Sequence, residues 1–424
     1  MKRIILPATL SVLLLMILAA CSQNPVGIFA SVARERLILD DRALENDLTV
    51  GSITRAGDRY FMASVLLRFR DVDNPASLAD GNPEEWSVIP SPGSDADNYT
   101  TTSVVSFGGD VYATFVRQDG EVSGVYRVTN PTSATPELEL VFESGSGILS
   151  VGELFVAGGE LLVSVQTGSA AYTLRYWDGS DFVEVPGIDE TNESNSAWTD
   201  VAADGSGSFL YVSGSKVLLD AGGISTGAAV ISITSAVTDG DNVADPFRSA
   251  HHDGGNTFWI ANRGGRLFSA TDANDLTVAD SWARNTKGED EEGEEVALPP
   301  YTYDVDPDEA IAFTDFATIS TSVSTDVTVV GTEDAGYYLL GATATVGPSS
   351  PSVDGSNYRE SELSGLAITT FYADNANLRT DYPVPTAAGD PYELIDGYLL
   401  FAGTANGGLW RALFYDGAIQ WVRE

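Results

Sequence analysis

Residues 148–185 read ILSVGELFVAGGELLVSVQTGSAAYTLRYWDGSDFVEV. Four short apolar runs stand out: Ile148–Ala157, Glu160–Gln166, Ala171–Trp177 and Asp181–Val185. β-Branched and aromatic residues crowd them, and apolar residues do not recur at helical spacing, so each run reads as a strand. Gly158-Gly159 separates the first two runs, and Asp178-Gly179 separates the last two. Asp-Gly tolerates positive φ and so favours a tight hairpin. The stretch predicts a four-stranded antiparallel sheet.

The same unit recurs along the chain. The preceding copy has runs at Thr101–Phe107, Val111–Arg117, Val122–Val128 and Leu138–Phe142. The last has Tyr392–Ile395, Tyr398–Gly403, Gly408–Phe414 and Ala418–Val422, with Asp416-Gly417 in the matching hairpin. Turns at Gly57-Asp58, Gly108-Gly109, Gly158-Gly159, Asp204-Gly205 and Gly254-Gly255 are separated by 46 to 51 residues. Two further turns are read at Thr325-Asp326 and Asp396-Gly397, each about 71 residues after the one before it. A fixed period of this size is the mark of a repeat architecture. Four antiparallel strands repeated in this way resemble β-propellers, and the resemblance covers residues 45–424. It implies an all-β ring, here expected to have seven four-stranded blades, with six or eight as the neighbouring counts. A β-helix and two stacked sandwiches are the alternative architectures. No named repeat family fits. The WD40 ending is missing, since Trp177-Asp178 lies in a hairpin, and the spaced Tyr and Trp of kelch units do not recur. The tryptophans, spread about one per unit, read as packing between blades.

Composition narrows the function. The chain has 424 residues, 43% of them hydrophobic, which is enough for a large core. Its 22 Lys+Arg against 61 Asp+Glu give a net charge of −39, and such a surface repels phosphate backbones, so no nucleic-acid partner is expected. A single Cys excludes intramolecular disulfides, multi-thiolate zinc sites and CxxC redox chemistry. Only Lys2, Lys216 and Lys287 are lysines. Acid-rich, lysine-poor surfaces of this kind resemble those of proteins from salty environments.

The single Cys has a particular place. Lys2 and Arg3 precede the apolar stretch Ile4–Ala20, which ends in Leu18-Ala19-Ala20-Cys21. This resembles the lipobox of bacterial lipoproteins and implies cleavage before Cys21 and lipidation of that cysteine. Three regions follow: a signal peptide at 1–20, a lipidated Cys with its tether at 21–44, and one propeller domain at 45–424. Loss of Lys2 and Arg3 leaves 20 − 61 = −41 charges on the mature chain. Acyl chains would hold it to a membrane of the cell envelope, outside the cytoplasm, on a periplasmic or surface face.

Site candidates are sparse. In a propeller, the loops entering each first strand share one face with the turns between second and third strands. Segments 91–99, 144–147, 189–197, 239–247, 284–310 and 373–391 are therefore expected on that face. His251 and His252 are the only histidines, and with Arg248, Arg263 and Arg266 they form a candidate site for an anionic group. Neighbours on a strand point to opposite faces, so only one histidine of the pair could face the channel. Asp304, Asp306 and Asp308 alternate as calcium ligands can, although the glycine and closing glutamate of an EF-hand loop are absent. The acidic run Gly288–Glu295 reads as a solvated loop. No nucleophile elbow, Walker motif or dinucleotide fingerprint occurs. The expected function is a non-catalytic binding or assembly scaffold, monomeric, with no cofactor beyond calcium at 304–308. Its expected partner is an envelope protein or a glycan. A propeller glycoside hydrolase and a structural envelope protein are the alternatives.

Overall fold

The computed structural model describes residues 48–423 apart from 73–84, 93–98, 118–121, 146, 189–193, 225–229, 239–245, 265, 286–287, 290–294, 297–311, 320–325, 334–335, 341–362, 364–365, 385–392 and 416–417. The first sheet contains β1 (Ser52–Ala56), β2 (Arg59–Ala63), β3 (Leu67–Asp71) and β4 (Ser87–Val88). The second contains β5 (Tyr99–Phe107), β6 (Asp110–Arg117), β7 (Ser123–Thr129) and β8 (Glu137–Glu143). The quoted stretch forms β9 (Ser150–Ala157), β10 (Glu160–Gly168), β11 (Ala171–Trp177) and β12 (Phe182–Glu184). Next come β13 (Trp198–Ala203), β14 (Phe209–Ser213), β15 (Val217–Asp220) and β16 (Ile231–Ser232). They are followed by β17 (Phe247–His252), β18 (Thr257–Asn262), β19 (Leu267–Thr271) and β20 (Ala283–Asn285). A two-stranded ribbon, β21 (Gly288–Glu289) with β22 (Glu295–Val296), comes before a three-stranded sheet. That sheet is β23 (Phe313–Ile319), β24 (Val327–Thr332) and β25 (Tyr337–Leu340). The last sheet is β26 (Ile368–Val384), β27 (Glu393–Thr404), β28 (Leu409–Tyr415) and β29 (Ala418–Arg423).

Every sheet is antiparallel and is built in chain order, each strand beside the next. The first strands are innermost: β1, β5, β9, β13, β17, β23 and β26 lie each against the next, and β26 lies against β1. The ring is closed, and the fold is an all-β propeller. The expectation of seven four-stranded blades is corrected. Among the described residues six sheets have four strands, and the Phe313–Leu340 sheet has three. The chain beyond Leu340 continues into residues outside the description.

The turn reading holds for the first five units. Gly158 and Gly159 take φ of 57° and 80° between β9 and β10. Gly158 also has no room for a side chain, because a Cβ there would meet Phe209 Cζ at 2.5 Å. The last sheet departs from expectation. Its first strand is Ile368–Val384 rather than 392–395, and Asp396-Gly397 lies inside β27. There Gly397 pairs with Arg379 between two register shifts, so the dipeptide is absorbed by an irregular ladder instead of making a turn.

The apolar core is a ring of clusters, one in each gap between neighbouring sheets. Trp198 is 1% exposed in the gap between the β9 and β13 sheets, with Phe155, Leu174, Phe209 and Tyr211, and its Nε1–H donates to Tyr172 O at 3.1 Å. Trp86, Trp259, Trp282 and Trp421 are buried in other gaps, and Trp177 and Trp410 pack against them half-buried. The ring is sealed by residues 48–50 against the last sheet. Val50 N–H donates to Thr404 O at 3.1 Å, Gly408 N–H donates to Leu48 O at 3.1 Å, and Thr369 Oγ1 donates to Val50 O. Beside this seam Arg55 holds Asp374 through both carboxylate oxygens, at 2.9 and 2.6 Å, and Tyr60 OH donates to the same carboxylate at 2.7 Å.

Candidate binding channel

The same four-residue arrangement stands at or beside the start of each inner strand. A buried residue comes first: Val50, Thr101, Val151, Trp198, Phe247, Phe313 or Ile368. The next is Gly51, Thr102, Gly152, Thr199, Arg248, Thr314 or Thr369, and then comes a polar residue, Ser52, Ser103, Glu153, Asp200, Ser249, Asp315 or Thr370. A buried apolar residue ends the set: Ile53, Val104, Leu154, Val201, Ala250, Phe316 or Phe371. In all of these strands except β1 the pairing with the second strand slips at this point. A bulge leaves one residue out of the ladder and re-aims its neighbours, and here it turns the polar residue toward the adjacent sheet.

In four of the seven inner strands that polar residue is a clamp. Ser52 Oγ accepts Val104 N–H at 2.7 Å, and Ser103 Oγ accepts Leu154 N–H at 3.3 Å. Asp200 Oδ2 accepts Ala250 N–H at 3.0 Å together with the Ser249 hydroxyl. Asp315 Oδ2 accepts Phe371 N–H at 2.7 Å. In each case an inner strand's side chain satisfies a backbone N–H of the next sheet, a group that would otherwise be buried without a partner.

Four charges depart from this hydroxyl-and-glycine pattern, and they occupy consecutive first strands: Glu153 on β9, Asp200 on β13, Arg248 on β17 and Asp315 on β23. Glu153 is exposed and the other three are half-buried. Enclosure by the surrounding protein nevertheless pushes the Glu153 carboxyl above its usual range, Arg248 pulling it back and Asp315 adding to the rise. Glu153 thus touches solvent while its neighbours on the inner strands keep it poorly hydrated. Burial pushes Asp200 up to about 7, with the Asp315 charge adding to it and hydrogen bonds from Ser249, Ala250 and Val201 opposing. Burial raises Asp315 to about 6 against hydrogen bonds from Phe371, Phe316 and Thr370 and the charge of Arg248.

The five residues expected to receive an anion divide between the two ends of β17. Arg263 N–H donates to Pro246 O at 3.0 Å, which puts the β18–β19 turn beside the start of β17 and near Arg248. Arg263 is paired with Glu333 at 3.1 Å, and Arg266 is held by backbone bonds with Asn262. His251 and His252 lie toward the other end, roughly 10–13 Å from Arg248 at about 3.3 Å per residue. His251 stacks on Phe316 at 5.8 Å, and its Nε2 contacts Thr318 Oγ1 at 2.7 Å. Burial pushes it down to about 4, so it is neutral at pH 7. His252 packs edge-on to Phe258 at 4.7 Å and takes Gly254 N–H on Nδ1 at 3.2 Å, with Asp272 3.6 Å from Nε2. The histidines are thus joined to structure, and Arg248 alone of the five stands with the channel charges.

The face expected from topology is present: Thr101 N–H donates to Val65 O at 3.3 Å and Phe247 N–H to Gly214 O at 3.2 Å, so second-to-third-strand turns meet the starts of first strands. Residues 373–384 are strand, not loop. Cys21 and Asp304, Asp306 and Asp308 lie outside the described residues. Among the described residues no group of three or more His, Cys, Asp or Glu is placed to hold a metal, and no helix is long and apolar enough to cross a membrane.

No protein-family profile matches the chain, and no curated protein does. Solved structures match it in shape. One is YCF48 bound to a D1 peptide, at a TM-score of 0.51 and 11% identity over 88% of this chain and 94% of that one. Another is the WD40 β-propeller domain of Doa1, at a TM-score of 0.46 and 10% identity over 87% of this chain and 93% of that one. What the chain shares with the YCF48 structure is its fold.

Proposed function

We propose that this chain is an extracytoplasmic, lipid-anchored binding scaffold that takes a protein partner at the mouth of its channel, on the face carrying the starts of the first strands. One observation carries this reading: Arg248 and Glu153. At these two positions the other sheets hold Thr or Gly, and Ser, Asp or Thr, and among the described residues neither side chain has a hydrogen-bond or ion-pair partner within 4 Å. The Asp200 and Asp315 carboxylates clamp neighbouring sheets, whereas Arg248 and Glu153 bring charge that the clamps do not need. The D1 peptide in the YCF48 structure is a precedent for a peptide partner on this fold. The Leu18-Ala19-Ala20-Cys21 signal supports anchoring through Cys21.

Two experiments test the reading. Tagged mature protein, cross-linked in envelope membranes of the parent organism, is expected to capture a partner that Arg248→Ala and Glu153→Gln lose while melting as the parent protein does. Unchanged capture by both variants overturns the channel as the site. Cys21→Ser is expected to move the protein from the membrane fraction to the soluble one, and retention in the membrane overturns the anchor. The raised carboxylates Asp200 and Asp315 also suit acid–base work on a glycoside. Turnover of aryl glycosides that Asp200→Asn abolishes would favour that second reading.

A further inference from the structure

We infer that Asp200 and Asp315, whose carboxylates bridge neighbouring sheets through Ala250 N–H and Phe371 N–H, make these joints sensitive to pH, holding them tightly in acid and loosening them when both carboxylates are charged. The ring shows why a charge is not needed for the clamp itself. Ser52 and Ser103 accept the same inter-sheet N–H with a neutral hydroxyl. Asp200 and Asp315 do it with groups that repel one another across the channel wall, in surroundings that hydrate them poorly.

The groups facing the pair leave this repulsion largely uncompensated. From β9 comes Glu153, a third acid. From β17 comes Arg248, whose charge acts on Asp315 and Glu153 without a contact to either within 4 Å, and Ser249, which donates to Asp200. His251, also on β17, is buried against Phe316 and Thr318. β14 offers only Tyr211, which donates to Asp220 at 3.4 Å, and β24 carries no titratable residue. On β26, Asp374 is taken by Arg55 and Tyr60. Both carboxyls are raised, so the folded ring keeps protons that the unfolded chain has already released. Their contribution is complete below the unfolded value near 4 and is lost as pH climbs toward neutrality.

Asp200→Ser and Asp315→Ser test this with the residue type that other sheets use at the same place. Melting temperature is measured from pH 5 to pH 8 for the parent protein and both variants, and the variant-minus-parent difference is taken. That difference cancels the opposite contribution of His251, which all three share. The parent melting temperature is expected to fall across this range relative to the variants, each variant removing at least half of the fall. Amide exchange at Ala250 and Phe371, corrected for its intrinsic pH dependence, should rise in the parent alone. Parallel profiles overturn the inference. Should either variant fail to fold, carboxyl-carbon NMR of the parent decides: titration of both side chains below pH 5.5 overturns it, and titration of at least one above pH 5.5 supports it.

Discussion

Replacing Asp374 by alanine removes the carboxylate that ties the last sheet to the first. Its side chain is 0% exposed and that of Arg55 only 9%, so the substitution strands a guanidinium at the seam. Breaking one half of a buried ion pair costs about 3–5 kcal/mol. The lower figure applies, because Arg55 keeps Gly57 O through Nε at 2.7 Å and the exposed Asp58 at 3.5 Å. Unfolding entropy of about 2.1 cal/mol/K per residue gives roughly 0.8 kcal/mol/K for a body of this size, so a loss of about 3 kcal/mol lowers the melting temperature by about 4 °C. Arg55→Met with Asp374→Leu should recover most of that loss, since a well-packed apolar pair replaces a buried ion pair at little cost. Asp58→Ala, which touches only the solvated contact, should move it by less than about 1 °C. The measurement is thermal unfolding followed by circular dichroism at fixed pH and salt. A fall of under 1 °C for Asp374→Ala, or an equal fall in the double variant, would refute the view that this pair seals the ring.

Three further outcomes are expected. Trp198→Ala should cost about 3–5 kcal/mol through the cavity it leaves between the β9 and β13 sheets, read as a lower midpoint in urea. His251 is neutral in the fold down to about 4, whereas the unfolded chain binds a proton near 6.5, so stability falls as pH drops through that window. His251→Gln should flatten this acid limb, and an unchanged limb would show that the ring titrates normally. With 61 acids against 22 bases the folded surface repels itself, so sodium chloride should raise the melting temperature as it screens the carboxylates; a flat salt series would contradict that.

The turns were the legible part of the sequence. Gly-Gly and Asp-Gly need conformations few residues tolerate, so their positions mark hairpins even without an alignment. The four-residue start of each inner strand was not legible, although it defines the repeat better. It conserves physical roles and not identities: Ser, Asp, Glu and Thr all occupy the polar place, and the separation of those places varies from 47 residues between Glu153 and Asp200 to 66 between Ser249 and Asp315. The same freedom hid the channel charges. Among 61 carboxylates nothing local distinguishes Asp200 from its neighbours, because its partner Ser249 is about fifty residues away. The first strand of the last sheet is not legible either, because Asp396-Gly397 is a good turn signal that a bulged ladder accommodates.

Because each sheet, among the described residues, is built from strands consecutive in the chain, assembly separates into two kinds of step. Bringing together the strands of one sheet closes loops of at most a few tens of residues, and this can proceed as the polypeptide leaves the ribosome. Joining Thr49 to Ala405 spans 356 positions. Loop-closure entropy grows only with the logarithm of length, so relative to a fifty-residue loop this last event costs roughly 1.7 kcal/mol more. A nascent ring should therefore wait, open but locally formed, until its final sheet emerges.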